Sequence, residues 1–173
     1  NAMTHPSANE SLHPLMMTAI CKSIANTFEQ MVFVPVSVGE PVEKTEGNPT
    51  GCISGTIGLS GTHNGSPVEL RSKLSLIFSE ELAIKIFRGM MMMDETTPVE
   101  MPELRDVVGE LTNMTAGGAK TLLSNDGFKL SLSLPTVAVG HDHYLGAPSG
   151  IAYSKVIPVG FNEFTFYIEL SIS

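Results

Sequence analysis

The sequence predicts an α+β fold, an antiparallel six-stranded sheet carrying three helices. Three observations predict it: apolar residues recur at helical three-and-four spacing in three stretches; other apolar or β-branched runs are bounded by turn residues; and the helices fall between groups of hairpin-connected strands.

The first helix runs from Leu12 to about Val32, where Leu15, Ala19, Ile20, Ile24, Thr27, Phe28 and Met31 approximate one apolar face. Val32 to Val38 then turns β-branched with Pro35 inside it, the signature of a strand start or an edge strand. After a polar loop containing Gly and Pro, a run from Cys52 and a second from Val68 to Phe78 flank the turn His63–Ser66 and predict a hairpin. Glu80 to Met93 predicts a second helix, with Ser79 as its N-cap and Leu82, Ile86 and Met90 on one face.

An acidic connector, Asp94 to Glu100, leads to Pro102, which is placed to open a third helix that continues to about Ser124 and stops before Asn125, Asp126 and Gly127. Phe128–Val139, Gly150–Val159 and Phe161–Ser173 predict three more strands, with Pro135 and Pro158 at edges or bends. With the second helix taken as a connector, the chain reads as two copies of one helix-plus-strands unit, a pseudo-repeat with little residue identity between its halves.

A chain of 173 residues fits one domain, expected over residues 3–173, with Asn1 and Ala2 ahead of Met3 as a tag remnant. Hydrophobic residues make up 42% and charged residues 16%, which predicts a large core and excludes a disordered chain. No apolar run approaches the roughly 20 residues needed to cross a bilayer, so a cytoplasmic location is expected. Cys21 and Cys52 lack CxxC spacing, which fits a reducing compartment. A net charge of −8 with only 10 scattered Lys and Arg excludes a nucleic-acid footprint and favours a protein partner.

The third helix carries the candidate chemistry. Leu104, Val107, Val108, Leu111, Met114, Thr115 and Leu122 are expected to face the sheet, which turns Asp106, Glu110, Asn113 and Gly117 outward as one stripe. Such a stripe is either a solvated face or a contact face. Gly109, Gly117 and Gly118 favour contact, since each costs about 1 kcal/mol relative to alanine inside a helix and predicts a close approach. Thr112 and Ala116 are also small, so Glu110 and Asn113 are expected to project from a low surface.

Three other clusters have simpler readings. His141, Asp142 and His143, with His63 at a distance, lack a fourth ligand or a general-base motif and are read as a solvated turn rather than a metal site. Met90–Met93 is read as core filler at a helix end. Asp94, Glu95, Glu100, Glu103 and Asp106 gather at the start of the third helix, where its dipole favours anions.

The segment GELTNMTAGGAK, residues 109–120, resembles the CheX and CheC chemotaxis phosphatases, whose helix carries an ExxN motif matched here by Glu110 and Asn113. The resemblance extends in the same order to IGLSG at 57–61, SEELA at 79–83 and SLPTVAVG at 133–140. It implies a CheC-like fold and a hydrolase acting on the aspartyl phosphate of a CheY-like response regulator. In that role Asn113 orients the attacking water, and Glu110 docks to a lysine of the regulator. No cofactor of its own is implied, Mg²⁺ being supplied by the bound regulator. CheX relatives pair through sheet edges, so a homodimer is implied as well. Two departures stand out: Gly118 occupies a position where many relatives have Asn, and Ser23 precedes Asn26 where CheC-type relatives carry a second ExxN, which leaves one site per chain. The competing function is a non-catalytic module that binds a phosphorylated regulator without turnover. A free-standing hydrolase of small phosphates lacks a nucleophile with a paired base.

Overall fold

The structure, a computed structural model, describes residues 10–44, 50–144 and 153–173, and for Glu10, Thr50 and residues 141–144 the backbone alone. In chain order, helix α1 (His13–Thr27) is entered by a 3₁₀ turn (Glu10–Leu12) and left by a π turn (Phe28–Val32). Two short strands, β1 (Ser37–Val38) and β2 (Val42–Glu43), lead to the long hairpin of β3 (Thr50–His63) and β4 (Leu70–Phe78). Helices α2 (Glu80–Met90) and α3 (Met101–Ser124) follow, then β5 (Phe128–Leu132), β6 (Thr136–Tyr144), β7 (Tyr153–Phe161) and β8 (Phe164–Ile172).

All strands pair antiparallel in one sheet of order β1-β7-β8-β4-β3-β5, with β2 beside β1 on β7 and β6 beside β5 on β3. Eight segments therefore fill six lanes, because each outer lane is built from two pieces. The order reads alike from both ends: one outer pair, then β7 and β8, then β4 and β3, then the other outer pair. Each helix-plus-strands unit lends its first lane to the other unit's edge, a two-fold pattern that matches the expected repeat.

The outer lanes break for identifiable reasons. Gly39 donates to the Pro158 carbonyl at 2.8 Å, but Pro158 has no N–H to return, so β1 stops there. On the opposite edge, Leu59 pairs with Leu132 and Thr56 with Thr136, so Ser133, Leu134 and Pro135 stand opposite only Ile57 and Gly58. The extra residue makes a bulge between β5 and β6, with Pro135 unable to rejoin the ladder at once.

Helices α1 and α3 pack on one face of the sheet and on each other, and bury Ile20, Ile24, Leu111 and Leu123 against Leu59, Leu74 and Ile168. Phe28 stacks on Phe166 at 4.9 Å between ring centroids and ties the π turn to β8. Small residues bring α3 down onto the sheet. A Cβ at Gly55 would lie 2.1 Å from Thr112 Oγ1 and 3.1 Å from the Val108 carbonyl oxygen, so α3 rests on β3 at a point where only glycine fits. A buried ion pair between Lys44 and Glu169, with side chains 5% and 7% exposed, ties the end of β2 to β8.

Several expectations need correction. The first helix reaches Val32 only through its π turn, and Phe33 leaves it in the left-handed region at φ 63°, so regular strand is confined to Ser37–Val38. The second helix stops at Met90, because Met92 adopts φ 54° and Met93 N–H reaches back to the Arg88 carbonyl at 2.9 Å, a left-handed termination without glycine. Met91, Met92 and Met93 are consequently exposed rather than core, and only Met90 packs against the interior. Leu122 is exposed, while Ala119 and Leu123 take the buried positions near the end of α3.

The connector and caps follow the sequence more closely. Ser79 Oγ accepts from Leu82 N–H at 3.2 Å, and Glu103 accepts from Glu100 N–H at 2.7 Å, which places one of the clustered carboxylates in a helix-capping role. Asp94 accepts from the Thr96 and Thr97 amides and hydroxyls, and the Thr96 bonds lead in holding its carboxyl below the usual range. These carboxylates thus serve the turn and the helix start.

Candidate functional site

Helix α3 lies across the sheet with Leu104, Val108, Leu111, Thr112, Thr115, Ala116 and Ala119 buried. The opposite face follows from the helical period: Asp106, Glu110 and Asn113 are exposed, and Gly117 is half-buried. Glu110 and Asn113 are three residues apart and lie side by side on the surface, as expected. Thr112 and Thr115, on either side of Asn113, each donate to the carbonyl four residues earlier at 2.7 Å. Their hydroxyls are thereby satisfied inside the helix, and neither competes for whatever approaches the outer face.

The glycine reading changes. A Cβ at Gly109 would meet Val137 Cγ2 at an ordinary 3.5 Å, and one at Gly117 would meet nothing. At Gly118 it would lie 2.3 Å from Ser23 Oγ, so the close approach there is made by α1. Thr112 and Ala116 are buried and do not lower the outer surface; they lower the inner one, toward β3.

Glu110 and Asn113 form one wall of an open hollow of about 430 Å³, shared with Arg105, Asp106 and Gly109 from α3 and with Leu134, Pro135 and Val137 from the bulge and β6. The sequence marks Pro135 as an edge or a bend and gives Leu134 and Arg105 no role at the site. A proline two residues after Ser133 in an otherwise regular strand pattern is the available signal, but only the register shows that Leu134 lies in a bulge, where it borders the hollow.

Two other hollows lie elsewhere on the surface. One of about 560 Å³ lies between α2 and the β7–β8 hairpin, where the cations are already engaged: Lys85 pairs with Glu163, and Arg88 donates to the Thr97 carbonyl. Another, of about 600 Å³, includes Ser23, Asn26 and Gly118. Ser23 is buried and donates to the Thr115 carbonyl at 2.7 Å, so it joins α1 to α3 and offers no carboxylate beside the exposed Asn26.

The side chains of His141, Asp142 and His143 lie outside the described residues, and His63 is bonded through Nε2 to the Asp126 carbonyl at 2.9 Å. Among the described residues no three His, Cys, Asp or Glu side chains gather as metal ligands. Among them too, no helix is long and apolar enough to cross a membrane.

The chain is similar to known chemotaxis proteins. The family described as "Chemotaxis phosphatase CheX" matches residues 53–157, a span that includes α3 and the bulge. The CheY-P phosphatase CheX of Thermotoga maritima is 27% identical over 157 residues, covering 91% of this chain and 95% of that protein. The crystal structure of chemotaxis protein CheX from Vibrio vulnificus superposes with a TM-score of 0.79 at 26% identity, covering 91% of this chain and 99% of that one. The fold is shared as well by Borrelia burgdorferi CheX in its complex with CheY, BeF₃ and Mg²⁺, with a TM-score of 0.69 at 17% identity, covering 91% of this chain and 96% of that one.

Proposed function

This chain belongs to the CheX family of chemotaxis phosphatases, and from that premise we propose that it hydrolyses the aspartyl phosphate of a CheY-like response regulator, with Asn113 orienting the attacking water and Glu110 docking the substrate. The observation that carries this reading is the placement of Glu110 and Asn113 side by side in an open hollow, accessible to another protein's surface. The Thermotoga relative is named for the same reaction, and the Borrelia relative was crystallised with CheY.

The residue types suit the chemistry. Hydrolysis of an acyl phosphate requires a water in line with phosphorus: its oxygen bonds to phosphorus as the bond to the aspartyl oxygen breaks, releasing inorganic phosphate and the regulator's carboxylate. The carboxamide of Asn113 accepts a hydrogen bond from that water through its oxygen and donates toward phosphoryl oxygen through its nitrogen. A carboxylate at 113 would repel the phosphoryl dianion. Glu110, one helical turn away, supplies an anion for the lysine beside the regulator's phosphorylated aspartate, and charge pairing there fixes the docking register. Mg²⁺ arrives bound to the regulator, as part of the substrate.

Turnover takes place in the cytoplasm, where the regulator resides, and the protein acts as a homodimer joined through exposed strand edges, since each outer lane presents backbone groups beyond its own partner strand. The test is decay of a phosphorylated CheY-like regulator present in large excess over this protein. Multiple turnover supports the enzyme; stoichiometric protection or simple capture of the regulator would replace it with the non-catalytic binding module.

A further inference from the structure

We infer that Leu134 is a docking residue of the site: its side chain seats against an apolar patch of the regulator beside the phosphorylated aspartate, and so contributes to substrate affinity. This rests on the regulator-phosphatase reading above and names a contact it did not contain. Leu134 is 87% exposed, more than any other exposed large hydrophobic among the described residues. A single exposed leucine is ordinary on a protein surface. This one is held out by a specific local arrangement.

Ser133 N–H donates to the Gly58 carbonyl at 2.9 Å, and Gly58 N–H donates to Ser133 Oγ at 2.8 Å. The same hydroxyl donates to the Leu134 carbonyl at 3.2 Å, so its donor and one acceptor position are both used within the bulge. Pro135 fixes the next φ and cannot draw the segment back into the ladder. Leu134 is therefore pre-positioned by the backbone on either side of it, which reduces the ordering cost of using it in a contact.

Its location supplies the occupant. Leu134 borders the same hollow as Glu110 and Asn113, with Pro135 and Val137 continuing the apolar wall and the charged and amide groups on the α3 side. A regulator seated so that its acyl phosphate reaches Asn113 covers this wall, and the complementary surface is apolar. Because the contact is equally present before and during the reaction, Leu134 affects binding and leaves the chemical step unchanged.

The experiment is steady-state dephosphorylation of a purified CheY-like regulator charged with acetyl phosphate, together with titration of the same regulator in its BeF₃-activated form, for wild type, Leu134→Ser and Leu134→Met. Exposure of residue 134 makes all three expected to fold. Leu134→Ser is expected to raise KM and Kd by about tenfold or more with kcat within about twofold, and Leu134→Met to restore both. An active wild type with unchanged KM and Kd in Leu134→Ser overturns the inference and leaves the proposed function intact, as does a fall in kcat at unchanged KM. A wild type that neither binds nor dephosphorylates the regulator overturns both.

Discussion

Placing a methyl group at Gly55 tests how the site is held over the sheet. In Gly55→Ala the new Cβ would stand 2.1 Å from Thr112 Oγ1, 3.1 Å from Thr112 Cβ and 3.1 Å from the Val108 carbonyl oxygen. Only the first is the end of a side chain that can turn away. The other two belong to the body of α3, so relief requires the helix to move off β3. Overpacking of this kind costs about 1–3 kcal/mol, and two of the three conflicts cannot be relieved by rotation, which favours the upper half of that range. Against this, replacing glycine inside a strand returns roughly 0.5–1 kcal/mol. A net loss of about 1–2 kcal/mol follows, or roughly 2–8 °C in Tm for a chain of this size. Thermal unfolding followed by circular dichroism measures it. In a Thr112→Ala background the nearest conflict disappears while the 3.1 Å contacts remain, so the penalty should shrink without vanishing, a coupling that a double-mutant cycle reads directly. Because the bulge is bonded to Gly58 on β3, lifting α3 also separates Glu110 and Asn113 from Leu134, and activity should fall with stability. An unchanged or raised Tm, or strict additivity with Thr112→Ala, would refute the close-approach argument.

Three further outcomes follow from the same structure. Burial raises the Glu169 carboxyl pKa from its ordinary 4.5, with Lys44 opposing the rise. The unfolded chain therefore ionises this group first and binds fewer protons between 4.5 and the raised folded value, so the group's contribution to stability is present below 4.5 and declines as pH climbs through that window. In Glu169→Gln this part of the pH dependence of unfolding should disappear, and its persistence would assign it elsewhere. Light scattering at micromolar concentration should give a dimer mass, and a monomer would contradict pairing through sheet edges. Glu110→Ala should weaken docking, so its deficit in dephosphorylation should diminish as regulator concentration rises; a deficit that persists at saturation would move Glu110 into the chemical step.

Much of the fold was legible because local chemistry and tertiary structure agree. Pro102 and the Asn125–Gly127 turn bracket α3, and its bounds match the expected ones. The exposed stripe was legible for the same reason, since Asp106, Glu110 and Asn113 sit opposite an apolar face of period 3.6. Where the two levels part, the sequence misleads. Nothing in MMMM marks a left-handed residue, so the stop at Met90 and the exposure of Met91–Met93 depend on backbone geometry reached without glycine. The small residues of α3 signal a close approach, but periodicity does not say which neighbour approaches: at Gly118 it is Ser23, and Thr112 faces Gly55. The second wall of the site was illegible for a different reason. Leu134 stands beside Glu110 and Asn113 only because one extra residue in the β5–β6 lane interrupts its pairing with β3, and that register is a property of two strands together.

Whether the carboxamide of Asn113 orients water for attack on a regulator's acyl phosphate is decided by the decay of phosphorylated regulator at saturating Asn113→Ala protein. By analogy with removal of one preorganised donor from an active site, the rate should fall on the order of 10², about 3 kcal/mol, while the variant still binds the BeF₃-activated regulator as the wild type does. Wild-type decay in the presence of saturating Asn113→Ala would rule out the water-orienting role and return the α3 stripe to a solvated face.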